Sequence, residues 1–327
     1  MKAKRSLPGK KGRASGNAAL ALAACMGLTT ATALAADWSD TYIGWRYGSS
    51  FAEPYVNNDT GQRQDIAKNI FNLQHTSGFK YGLNFFNVDV LLSNSKDPAS
   101  CSGEPFQPVC TGSAQEVYIV YRNVLDFAKI SGKDLKFGFV QDIGLRWGVD
   151  FQSKTDAGYN SKKRMLVAGP NFMIDVPGFL NVSVLALWES NAPCTTFVPS
   201  FIGGFPTTCI PRYSYKVHPA LDLNWGIPIG ATGFSFEGYA DIIGSKGTNE
   251  FGGQTKTEIH FDGQIMYDVG ALVGGPKSTF KVGLEYEYWK NKFGNPTTDV
   301  QVGFPGGSGA GPGATAKTPM VRVEYHF

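Results

Sequence analysis

Apolar and polar residues alternate with a period of two through most of the chain after its first 35 residues. In Thr318 to Phe327, Val321, Val323, Tyr325 and Phe327 fall on one side, and Met320, Arg322, Glu324 and His326 on the other. That is a strand with one oily and one wet face. A final Phe with a Tyr two residues before it is the habit of the closing strand of a bacterial outer-membrane barrel, where aromatic rings sit at the membrane interface and the last strand pairs with the first. Strands of the same kind are expected upstream.

Eleven more follow the pattern. They lie at Trp38 to Tyr47, about Asn69 to Thr76, Tyr81 to Leu92, Gln115 to Arg122, Phe137 to Phe151, about Lys163 to Asp175, Leu180 to Glu189, Tyr213 to Trp225, Phe234 to Ile242, Glu258 to Tyr267 and Phe280 to Tyr288. The fifth is the clearest: Phe137, Phe139, Ile143, Leu145, Trp147, Val149 and Phe151 alternate with Asp142, Arg146, Asp150 and three glycines. About ten residues per strand suits a tilted bilayer crossing, and an even count is what single-chain barrels use. Connections after odd strands are long and polar, whereas those after even strands are short and rich in Gly or Pro, as expected of extracellular loops and periplasmic turns. Asn123 to Lys136 is long for such a turn. A soluble β-sandwich also alternates, but it has no use for a charged face on every strand. The reading is therefore an all-β chain, an antiparallel transmembrane barrel of about twelve strands in the outer membrane.

The first 35 residues read as an address. Lys2, Lys4, Arg5, Lys10, Lys11 and Arg13 precede the apolar Ala18 to Leu28, and Ala33-Leu34-Ala35 offers a small-x-small cleavage site. This divides the chain into a signal peptide, 1–35, and a barrel, 36–327. Leu22-Ala23-Ala24-Cys25 supports a second reading, a lipoprotein box that would lipidate Cys25, although the apolar stretch before it is very short. Six of the 30 Lys and Arg lie in this leader and none of the 27 Asp and Glu, which leaves 24 against 27 and a net charge of −3. The basic balance of the whole chain is thus a targeting feature, and no nucleic-acid partner is expected. After the leader no stretch of 18 apolar residues could make a spanning helix. A membrane protein without one must close a sheet, because lipid satisfies no backbone polar group. The outer wall would meet outer-membrane lipids, and the closing strand would be offered to the barrel-assembly machinery.

Four cysteines fall in predicted extracellular loops, Cys101 with Cys110 and Cys194 with Cys209. Two loop-local disulfides are the simplest of three connectivities. Metal binding competes, but neither loop holds a Cys-x-x-Cys or a His.

The wet faces define the candidate site. They present Tyr42, Arg46, Asn87, Asp89, Tyr118, Asp142, Arg146, Lys216, His218, Asp222, Asn224, Glu237, Tyr239, Glu258, His260, Asp262 and Arg322. A twelve-stranded barrel should be constricted by its own side chains. Many of these charges must pair across strands simply to exist there. The rest could hold a polar solute by hydrogen bonds while tyrosines stack on a flat ring. His218 with Asp222 and His260 with Asp262 suggest a base and an orienting carboxylate, yet no nucleophile accompanies them, so no enzyme, no cofactor and no metal are expected.

Arg46-Tyr47-Gly48 with Phe51 and Pro54, Asn58-Asp59-Thr60, Lys290-Asn291-Lys292-Phe293-Gly294 and Tyr325-His326-Phe327 resemble the Tsx-like family of nucleoside-specific channel proteins, and more closely its variants described as outer envelope proteins. The first loop and the cysteine-bearing loops depart from the nucleoside channels. The resemblance implies a monomeric twelve-stranded barrel with a narrow, substrate-binding lumen that passes small polar solutes, nucleosides first among them, by diffusion. A general pore, or a structural or adhesive barrel acting through its cysteine loops, remains the alternative reading.

Overall fold

In the computed structural model the described residues are 36–54, 62–97, 101–104, 107–110, 113–154, 159–195, 208–270, 272, 274–298 and 311–327. The leader and Cys25 lie outside them, so the two readings of the N-terminus are untouched. Twelve long strands follow in order: β1 (Trp38–Phe51), β2 (Ile66–Phe79), β3 (Gly82–Ser93), β4 (Gln115–Asp126), β5 (Val140–Lys154), β6 (Lys162–Ile174), β7 (Phe179–Asn191), β8 (His218–Pro228), β9 (Phe234–Ile243), β10 (Glu258–Asp268), β11 (Phe280–Lys290) and β12 (Thr315–His326). Each pairs antiparallel with the next, and β12 pairs with β1 from Tyr42 opposite His326 to Gly48 opposite Met320. The sheet is a closed ring without edges, the form that lets strands cross lipid with every ladder hydrogen bond made.

The faces sort as the alternation requires. Ile43, Phe71, Leu73, Leu145, Val184, Leu221, Ile265, Leu284 and Val321 stand exposed on the outside, while Tyr42, Asp89, Arg146, Asp150, Asp222, Asp262 and Arg322 point inward and are buried. This is a soluble protein turned inside out, with apolar side chains toward lipid and charges toward the lumen. Aromatic rings collect at both ends of the wall. Trp38, Phe179, Phe234, Phe280, Tyr325 and Phe327 lie at the turn end, and Tyr47, Phe151 and Trp188 at the loop end, all of them exposed, as interfacial girdles do.

Two strand starts differ from the alternation. β5 begins at Val140, because Phe137 and Val140 exchange both backbone hydrogen bonds in a tight bridge and leave Phe137 and Phe139 outside the wall. β8 begins at His218. Tyr213–Ser214 pairs separately with the end of β7, and the amide of Tyr215 then donates to Glu189 O while that of Lys216 donates to Lys246 O. This change of partner shifts the phase, so Tyr215 is buried and Lys216 exposed, the reverse of the alternation. The long turn between β4 and β5 also has a cause. Asp126 caps a five-residue helix, Phe127–Ser131, by accepting from the amide of Lys129, and Gly132, at φ 67°, ends it.

In the cysteine-bearing loops, Cys194 and Cys209 are disulfide-bonded across a short strand pair. The backbone hairpin 101–104 with 107–110 sets Cys101 opposite Cys110, but the side chains of that pair lie outside the described residues.

Candidate functional site

The lumen wall is built from alternate residues, so each inward side chain has inward neighbours two positions along its strand and directly across on the next. At mid-barrel these condense into two ion-pair networks. In the first, Arg46 donates to Asp89 (2.7 Å) and lies 3.5 Å from Glu285, while Arg322 donates to Glu285 (2.8 Å), Glu324 (2.6 Å) and the Tyr42 hydroxyl (2.8 Å), which in turn donates a hydrogen bond to Gln74 Oε1. Asn72 donates to both Asn87 and Asp89. In the second, Arg122 grips Asp150, the Tyr118 hydroxyl donates to the same carboxylate (2.8 Å), and Arg146 reaches Asp222 at 3.1 Å. Arg122 has room because the inward residue beside it is Gly148, where a Cβ would sit 2.8 Å from the arginine chain and 2.0 Å from Tyr121 O. Asn224 joins this network through Asp222, and Asn171, Asn181 and Ser183 continue it along the wall. Arg146 and Asp222 belong to strands that are not neighbours, so their contact crosses part of the bore.

Toward the loop end the chain folds inward. Glu53, just beyond β1, places its carboxylate against Lys68 (2.6 Å), Lys154 (3.4 Å) and Lys292 (3.4 Å), and Lys292 also donates to Ala52 O. These lysines come from β2, β5 and the turn after β11, so one carboxylate ties three parts of the wall together. Burial pushes its carboxyl up, but Lys154, Lys292 and Lys68 outweigh that and hold it well below the ordinary glutamate range. Glu189 makes a second knot with Lys246 (2.8 Å), Lys163 (3.4 Å) and His218 (3.9 Å). Burial lowers the Lys246 ammonium, and Glu189 more than restores it, so its pKa is raised.

Between the knots sits an aromatic group. His260 stacks on Trp289, ring centres 3.9 Å apart and 8° from parallel, and Tyr239 meets the His260 edge at 5.1 Å. Trp289 donates to Glu258. Phe293 approaches Trp289 edge-on at 4.9 Å with the Lys163 ammonium 4.0 Å from its ring centre. To reach that place Phe293 adopts φ 59°, ψ 23°, a left-handed conformation that costs a non-glycine residue about 1–2 kcal/mol, which the cation–π and ring contacts offset. Tyr239 points inward yet is 37% exposed. Solvent therefore reaches the lumen at this row.

Sixteen of the seventeen residues expected in the lumen lie on the inward phase of their strands; Lys216 does not, for the reason given above. Asp142 sits at the turn end, where it accepts from the amides of Ala128 and Ile143 and caps the short helix rather than lining the bore. Glu237 pairs with Lys281 at 3.3 Å. His218 hydrogen-bonds to the Lys216 carbonyl and faces Glu189, not Asp222. The alternation missed Glu53, Lys154, Lys163, Lys246, Trp289, Lys292 and Phe293. Carrying the inward phase four residues past Asp150 in β5 and two past Glu287 in β11 would have found Lys154 and Trp289. Glu53, Lys246, Lys292 and Phe293 lie beyond strand ends, where period two carries no signal. Phe51 and Pro54 and the Lys290–Gly294 stretch, two of the motifs that carry the Tsx-like resemblance, adjoin each other through the Lys292 contacts to Ala52 and Glu53.

No family model and no curated protein matches the chain. Among solved structures it is similar to the translocator domain of the autotransporter NalP from Neisseria meningitidis (TM-score 0.43, 10% identity, 88% of each chain covered). It is also similar to the KdgM porin in complex with disordered oligogalacturonate (0.36, 11%, 88% of this chain and 99% of that one) and to Acinetobacter baumannii OccAB3 (0.34, 9%, 88% and 99%). Likenesses this remote carry no argument of their own. The decision rests on the closed ring, its exposed apolar belt and the two aromatic girdles. The chain is an outer-membrane β-barrel. Its candidate site is accordingly the lumen row between the two loop-end knots and the mid-barrel networks.

Proposed function

We propose that this outer-membrane barrel is a passive channel for small polar solutes that selects those with a flat heteroaromatic ring and several hydroxyls, nucleosides first among them. The supporting observation is the row in which the exposed inward Tyr239 stands beside the stacked His260 and Trp289, with Glu258, Asp262 and Glu287 on the same two strands. A base can stack on such rings with about 1–3 kcal/mol per base. Sugar hydroxyls can donate to the carboxylates around them. The ion pairs below the row and the Glu53 knot above it narrow the bore, which favours selection by size. Nothing in this reading needs an energy source, since a gradient drives diffusion.

Single-channel conductance in planar bilayers tests the proposal. Adenosine or thymidine should reduce the current in a saturable way, while ribose alone should block weakly. Current unaffected by any nucleoside would leave a general pore, and no current at all would overturn the channel reading in favour of a structural or adhesive barrel.

A further inference from the structure

Inside a barrel each acidic residue needs a counter-charge, since like charges directly opposite one another across a ladder destabilise it. The lumen contains two such acidic pairs on adjacent strands. Asp222 of β8 stands opposite Asp241 of β9, and there Arg146 supplies the cation at 3.1 Å. Asp262 of β10 stands opposite Glu287 of β11. Among the described residues no Lys or Arg comes within ion-pair distance of either, although Arg46 faces Asp262 and Lys292 and Lys68 face Glu287 from further off, and the basic group within that distance is His260, whose Nε2 lies 3.6 Å from Glu287 Oε2. Glu287 is 93% buried, and its other oxygen, Oε1, has no hydrogen-bond partner. One ligand atom from each of His260, Asp262 and Glu287 falls within 4.8 Å of the others. Two ligands about 2.0–2.1 Å from a tetrahedral centre lie roughly 3.3 Å apart. The 3.6 Å between His260 and Glu287 is close to that spacing, and the 4.8 Å that bounds all three atoms closes on an ion by side-chain movement.

We propose that His260 Nε2, Asp262 and Glu287 bind one divalent cation of the zinc type on the inner wall of β10 and β11. One imidazole and two carboxylates make a mixed nitrogen and oxygen set that suits zinc and its neighbours better than calcium or magnesium, which prefer oxygen alone. The imidazole is already held for the task, clamped flat against Trp289 with the Tyr239 hydroxyl 3.4 Å from the same Nε2. Three protein ligands leave a fourth position for water or for a passing solute. An ion here would offset the two opposed carboxylates. This holds whether or not nucleosides are the solute.

The folded barrel in detergent micelles, stripped with EDTA and then titrated with zinc chloride, tests the site. Folding of each variant is checked by its faster migration on unheated gels. Zinc should bind one per chain, and cobalt bound to the stripped barrel, whose visible spectrum reports nitrogen and oxygen ligands, should be displaced by it. His260→Ala and Glu287→Gln should each weaken binding by at least about ten-fold, and His75→Ala on the outer face should not. If His260→Ala does not fold, the near-isosteric Glu287→Gln carries the test alone. Zinc that fails to bind at one per chain, or that binds Glu287→Gln as tightly as the unaltered protein, overturns the proposal. Calcium binding as tightly as zinc would overturn the assignment of the imidazole as a ligand.

Discussion

The wall formed by β12, β1 and β3 with Glu285 of β11, and the wall formed by β9, β10 and the Glu287 end of β11, line one lumen with opposite habits. In the first, Arg46 and Arg322 share Asp89, Glu285, Glu324 and Tyr42, so that each of its carboxylates has an arginine within ion-pair distance. In the second, Asp262 and Glu287 oppose each other with a histidine between, and Tyr239 is exposed to the bore. One wall has its negative charge matched by arginine and the other does not. The lumen is therefore two surfaces, one that holds the barrel's shape and one free to meet what enters.

The comparison breaks most readily at Arg322. Removing it leaves the buried Glu285 with Arg46 alone at 3.5 Å and the buried Glu324 with His326 alone at 3.1 Å, and breaking a buried pair costs about 3–5 kcal/mol. Arg322→Ala should therefore lower the temperature at which the folded band is lost on gels far more than any substitution on the opposite wall; an unchanged temperature would mean that the network adds nothing. On that opposite wall, Tyr239→Ala should leave the barrel folded but raise the nucleoside concentration for half-block about ten- to hundred-fold, the worth of one stacked base. Equal block by both proteins would remove the aromatic row from recognition.

Glu53→Gln sharpens the contrast at the mouth. Its carboxyl is held below the ordinary 4.5 by three lysines, and a depressed folded value means that the knot contributes fully above the ordinary range and weakens only as pH falls below it. Conductance should stay level from about pH 8 down through the ordinary carboxylate range and rise only well below it, whereas the glutamine variant should show the higher conductance throughout and no step. The smallest effect belongs to Asp262→Asn. With EDTA present it relieves the opposition to Glu287, and stability should change by less than about 1 kcal/mol, with a rise more expected than a fall. A loss as large as that of Arg322→Ala would show the two walls to be equally committed.

The ring was legible in the sequence because each strand faces lipid on one side and water on the other, so period two survives in β5, β7 and β12 almost without exception. Pairing was not. That Arg46 meets Asp89 while Asp262 meets no arginine depends on the register of several strands together, and alternation fixes only which way a side chain points. Lys216 leaves the wet face because the chain changes partners between Glu189 and Lys246, an event set by neighbours remote in sequence. Glu53 and Phe293 were invisible for a different reason. They act from bends, one drawn in by lysines and the other by a left-handed backbone, and no periodicity describes a bend.

The closure of β12 on β1 also has a kinetic side. The two strands are paired only from Tyr42 to Gly48, whereas β1 meets β2 from Trp38 to Phe51. The ladder between the most distant strands in the chain is thus short, and because it joins residues far apart in sequence it is the slowest kind to form. Much of its hold is transferred to side chains that cross it on the water side, Arg322 to Tyr42 and His326 to Asp40. The lifetime of the folded barrel should therefore be set at this joint, and agents that compete for its polar bolts should shorten that lifetime before they disturb any other pair of strands.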